Sequence, residues 1–139
     1  MNIRKEIYWN KMVPELTVTD FAISKRFYVD ILGFSIMNER SSPKFVYLSL
    51  GEVQIMLEQY QEDGWNTGEL IYPLGRGVNF QIEVDDIEQI LNRLNESNIP
   101  LFQDIQSNGY EVGGVKACQR EFLVQDPDGY LLRFNQYIG

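Results

Sequence analysis

Pro14 to Phe34 reads PELTVTDFAISKRFYVDILGF, and Phe80 to Pro100 reads FQIEVDDIEQILNRLNESNIP. Each opens with apolar residues on alternate positions, Leu16 and Val18 in the first, Ile82 and Val84 in the second. Alternation is the mark of a strand with one covered face. An aspartate follows in each, Asp20 and Asp86, 66 residues apart, placed to cap the helix that comes next. Phe21, Ser24, Phe27, Tyr28 and Ile31 then recur at helical spacing, as do Ile87, Ile90, Leu91 and Leu94. Gly33 and the Asn98–Pro100 stretch end the two helices.

Working outward, the same three strand signals follow each helix. GFSIMNER, KFVYLSL and EVQIMLEQY come after the first, the last two joined at Gly51-Glu52. LFQDIQ, ACQREFLVQ and YLLRFNQYI come after the second. The predicted order is βαβββ, twice, an α+β fold. The first module is expected over residues 12–60 and the second over 77–138, with a glycine-rich loop over 61–76, in one domain of 139 residues. SNGYEVGGV, residues 107–115, reads as a further loop.

The last hairpin, EFLVQDPDGYLLRFNQ (Glu121–Gln136), turns on Asp-Pro-Asp-Gly. Proline presets φ at the second position and glycine supplies freedom at the fourth, so Asp126 and Asp128 read as turn chemistry and not as an acid–base dyad. Phe122, Val124, Leu132 and Phe134 face one way, and Arg133 faces the other.

Composition narrows the function. Net charge is -8, which opposes nucleic-acid binding. With no histidine in the chain, Ser-His and Cys-His catalysis and imidazole metal ligation are excluded. The single cysteine, Cys118, cannot form an internal disulfide and fits a reducing cytoplasm. No apolar run reaches the ~20 residues of a membrane span, and MNIRKEIYWN lacks a secretory apolar region, so a cytoplasmic protein is expected.

LTVTDFAISKRFYVDILGF, GRGVNFQIEVDD and REFLVQDPDGYLLRF together resemble the vicinal oxygen chelate superfamily: glyoxalase I, extradiol dioxygenases and bleomycin resistance proteins. The resemblance implies that the paired modules curl their mixed sheets into a cup, helices outside and ligand within. The family's enzymes hold a metal there. Transferred position by position, its ligands fall on Val13, Met56, Asn79 and Arg133. An alkyl group, a thioether and a fixed cation do not suit a hard divalent ion, so no metal, no other cofactor and no catalytic residue are assigned.

Strand parity gives the rest. Leu16, Val18, Val46, Leu48, Ile55, Leu57, Phe80, Ile82, Val84, Phe122, Val124, Leu132 and Phe134 form the face to be buried under the helices. The opposite face carries four glutamates (Glu15, Glu58, Glu83, Glu121) against Arg133, a charge of about -3, with Tyr47, Met56 and Asn79 among them. Trp65 in the loop is either a core plug or a stacking platform. The ligand-binding set is therefore Tyr47, Met56, Glu58, Trp65, Asn79, Glu83, Glu121 and Arg133, with Arg133 also a counter-ion for a nearby glutamate.

Loss of the metal ligands looks most like the bleomycin resistance branch. That resemblance implies a homodimer sequestering a cationic glycopeptide antibiotic, without nucleic acid or membrane, its MNIRKEIYWNK segment a candidate exchanged arm. The alternatives are a superfamily enzyme using Glu15, Glu58 or Glu83 on a small metabolite, and a non-catalytic sensor or interaction domain.

Overall fold

A computed structural model describes residues 8–138. The elements run β1 (Glu15–Val18), α1 (Phe21–Arg26, continued by a π-helical turn Phe27–Ile31), β2 (Ser35–Ser41), β3 (Lys44–Leu50), β4 (Val53–Gln59), then β5 (Asn79–Glu83), α2 (Ile87–Glu96), β6 (Gln103–Val112), β7 (Val115–Gln125) and β8 (Leu131–Tyr137). This is βαβββ twice. Each module closes its own four-stranded mixed sheet, ordered β1-β4-β3-β2 and β5-β8-β7-β6, with one parallel pair apiece.

The helices start as the sequence dictates. Asp20 and Asp86 are extended, and each accepts a hydrogen bond at 3.3 Å from the backbone three residues on, Ile23 N–H and Gln89 N–H. That satisfies donors a helix start otherwise leaves bare. Gly33 sits at φ +91, where a side chain would be strained and would collide with the Arg93 guanidinium from α2. The π turn ends with Leu32 N–H donating to Phe27 C=O at 3.0 Å, and it leaves consecutive Phe27 and Tyr28 both buried. The apolar faces of both sheets and the inward faces of both helices merge into one core. All thirteen residues assigned to that face by parity lie in it or against it.

One expectation is overturned. SNGYEVGGV is not a loop but most of a hairpin, with β6 and β7 paired from Gln106↔Glu121 to Val112↔Val115. The turn is Gly113-Gly114, at φ 58 and 82, a two-residue connection whose positive φ matches strand twist. Gly109 lies within the ladder opposite Cys118, so the Ser-Asn-Gly that reads as turn chemistry is strand. β8 pairs with β7 only over Gln119–Gln125, so the hairpin's outer part is a two-stranded ribbon.

The two modules are joined through the Asp126–Gly129 turn. Asp126 Oδ1 accepts from the Asp128 and Tyr130 amides at 2.9 Å each, which is its work in the turn. Its Oδ2 accepts from the buried Tyr28 hydroxyl of the first module at 2.8 Å. Asp128 accepts from the Thr19 amide at 3.1 Å and from the Thr19 hydroxyl, and Tyr130 OH donates to Thr17 C=O at 2.9 Å.

Burial pushes the Asp126 carboxyl up to about 6, against an ordinary value near 3.8, despite the hydrogen bonds that favour its charged form. Its folded form therefore holds the proton more tightly than the unfolded chain. The stability this contributes is full below pH 4 and is lost as pH rises through 6. Comparing Asp126→Asn with the native chain by urea unfolding at pH 4 and pH 7.5, the variant should gain about 3 kcal/mol relative to the native chain at the higher pH. A difference that does not change with pH would contradict this.

Candidate functional site

On the face turned away from the helices, the first module presents a patch built on β3 and β4. Tyr47 lies opposite Met56, Phe45 opposite Glu58, and Glu15 and Thr17 of β1 flank the same two positions of β4. Tyr47 OH donates to Gln54 Oε1 at 2.6 Å. The buried Gln54 also accepts from the Asn10 amide at 2.8 Å and donates to Tyr8 C=O at 2.5 Å. Trp9 then stands edge-on to Tyr47, ring centres 4.9 Å apart. Residues 1–7 of the candidate exchanged arm lie outside the described residues, while Tyr8–Asn10 pack on this chain's own β4.

Arg40 of β2 enters this patch as well. Its guanidinium lies 4.2 Å above the Phe45 ring, which is buried beneath it. Burial and repulsion from Glu58 raise the Glu15 carboxyl above its ordinary range, and Arg40 opposes the shift. The polar face therefore carries two arginines against four glutamates, a net of -2 if all are ionised, rather than the -3 expected. Trp9 and Arg40 were missed because their neighbours come from chain reversal and register, not from local pattern.

The second module's patch centres on β8. Arg133 donates to Glu121 Oε2 at 2.9 Å and to Asn79 Oδ1 at 3.3 Å. Glu121 is almost buried and Arg133 is about one-third exposed, so the pair is only partly shielded from water. Asn135, between Glu83 and Glu121 in register, is fully buried. The structure thus gathers Tyr47, Met56 and Glu58 in one patch and Asn79, Glu83, Glu121 and Arg133 in another. A cavity of about 400 Å³ lies between β4 and β5, lined by Gln54 and Ile55, Asn79–Ile82, and Asn10, Met12 and Pro14; of the predicted site residues in the two patches only Asn79 reaches it. Trp65 is 96% exposed on the inter-module loop, so it is not a core plug. Among the described residues no ring contact or ion pair joins it to either patch.

A protein-family model described as the glyoxalase/bleomycin resistance protein/dioxygenase superfamily matches residues 12–134. The chain belongs to this superfamily. Bleomycin resistance proteins of Geobacillus stearothermophilus and Staphylococcus aureus are each 28% identical over 134 residues, covering 91% of this chain and 96% of theirs. Among solved structures, TioX from Micromonospora sp. ML1 superposes with a TM-score of 0.69 at 18% identity, over 94% of this chain and 100% of that one. A superfamily member from Alicyclobacillus acidocaldarius gives 0.63 at 20%, over 94% and 92%. These structural likenesses speak to the fold.

The superfamily's enzymes imply a metal, and the donor chemistry here does not fit one. Arg133 and Asn79 are adjacent, and the guanidinium fills the space beside the amide oxygen with a fixed positive charge. Met56 faces Tyr47, and Val13 offers only an alkyl group. Among the described residues no three His, Cys, Asp or Glu side chains converge as a metal site. No helix is long and apolar enough to cross a membrane.

If Arg133 serves chiefly to neutralise Glu121, Arg133→Met should cost about 2 kcal/mol at pH 7 by leaving a nearly buried carboxylate unpaired. Adding Glu121→Gln should restore most of it. A double variant no more stable than Arg133→Met, measured by chemical unfolding, would contradict that role.

Proposed function

We propose that this chain is a metal-free binding protein of the bleomycin resistance type, which sequesters a cationic, partly aromatic small molecule on the polar face of its sheets. The observation that carries the reading is the make-up of that face. A net -2 from Glu15, Glu58, Glu83 and Glu121 against Arg40 and Arg133 lies beside Trp9, Tyr47 and Met56, which offer flat and adaptable apolar contact. The 28% identity to bleomycin resistance proteins over most of both chains supports it. A close charge pair contributes ~1 kcal/mol in water and ~4 kcal/mol at an effective dielectric near 20, so a few carboxylates suffice to select a cation. The protein acts as a homodimer in the cytoplasm, its ligand held between subunits. Trp65 is a stacking platform at the edge of the ligand.

A second reading has one observation in its favour. The raised Glu15 carboxyl beside Glu58 is the arrangement an acid–base pair needs, so acid–base chemistry on a small metabolite is the rival.

Calorimetric titration with metal-free bleomycin at low and then moderate salt tests the first reading. The expected result is one ligand per subunit, with affinity falling as salt rises. No heat at either salt would overturn it. Glu83→Gln should weaken binding about tenfold at low salt and flatten the salt dependence. Unchanged affinity would remove Glu83 from the site.

A further inference from the structure

Asn135 is the one buried side chain among the described residues whose polar atom lacks a partner. The residue is 0% exposed, its amide nitrogen donates to Gln119 Oε1 at 3.1 Å, and its Oδ1 accepts nothing. A buried acceptor without a donor is destabilising, a cost that leucine at the same position would not incur. Its surroundings are equally specific. β8 is an inner strand, and Asn135 is registered against Glu83 on one side and Glu121 on the other. Parity puts all three on the face away from the helices.

The two carboxylates differ. Glu121 is already paired with Arg133, whereas Glu83 is exposed and has no ion-pair partner among the described residues. Tyr110 and Tyr137 are partly exposed on the same face, and Tyr110 is close enough to Glu83 to feel its charge. The row therefore presents an unpaired anion, an unpaired neutral acceptor and two tyrosine rings.

We infer that the Glu83–Asn135–Glu121 row is the seat of a hydrogen-bond-donating organic cation, a primary ammonium or guanidinium group, with Glu83 supplying charge and Asn135 Oδ1 the second acceptor. This rests on the reading of the polar face as the ligand face and says which chemical group lies where on it. Oδ1 is buried, so the side chains that cover it must move to admit the ligand. A quaternary ammonium carries the same charge but has no N–H to give, so it gains the Glu83 attraction and leaves Oδ1 unsatisfied.

The test is an NMR titration of the isotope-labelled protein with butylammonium chloride and, separately, butyltrimethylammonium chloride. The expected result is shifts at Glu83 and Asn135 with at least tenfold tighter binding of the primary amine. Asn135→Leu should abolish that preference while raising the urea midpoint, because the orphaned acceptor is gone. Equal affinity for the two cations would overturn the inference. So would an Asn135→Leu chain that is less stable and keeps the preference, which would make Asn135 a structural donor. If that variant does not fold, Glu83→Gln at its exposed position should lose the primary amine, and retention overturns the inference. Bleomycin bound tightly without any amine preference would sink this seat alone. An amine preference without bleomycin binding would keep the seat and sink the antibiotic as ligand.

Discussion

The structure depends on how the Asp126–Gly129 turn is tied to the first module. Duplicated βαβββ units each have an apolar face to bury, and here the two faces and both helices share one core. The shared core solves that problem only if the modules meet in one register. The turn sets the register: Asp126 reaches Tyr28, Asp128 reaches Thr19, and Tyr130 reaches Thr17. The same carboxylate that organises its own turn thus anchors a tyrosine about a hundred residues earlier in the chain. The arrangement has a cost, since a nearly buried carboxyl is held where its charge is poorly solvated.

With the register set, the residues that carry chemistry are left on the outward faces by parity alone. Among the described residues no three His, Cys, Asp or Glu side chains converge there as a metal site. What remains is charge and ring surface. One arginine covers Phe45 and the other neutralises Glu121, so each module retains carboxylate that its own cations do not cancel. An acidic, aromatic, thioether-bearing surface of this kind attracts organic cations and has little to offer anions.

Much of this was legible in the sequence. The caps at Asp20 and Asp86, the end of the first helix at Gly33 and the buried side of β1, β3, β4, β5, β7 and β8 follow from local pattern, because each depends on neighbours within four residues. Features that depend on register did not show. Arg40 joins the polar face only because β2 pairs with β3 through a bulge, and Trp9 because residues 8–10 fold back over Gln54. The β6–β7 hairpin was hidden by Ser-Asn-Gly, a strong turn signal that the Gly-Gly turn overrode. Asp126 and Asp128 were correctly read as turn residues, but their reach into the other module has no sequence signature. Trp65 stood out by residue type alone, and it stands in the solvent.

The central claim, that the face away from the helices is the ligand face, is tested most directly by a crystal structure of the protein with metal-free bleomycin. The account predicts ligand density across the polar strands, with a cationic group against Glu83 and an aromatic portion near Trp9 and Tyr47. Glu83 also borders the cavity of about 610 Å³ between the modules, so Trp9 and Tyr47 decide: density confined to that cavity, against Leu32, Val53, Ile90 and Arg93 with none over Tyr47, would contradict it.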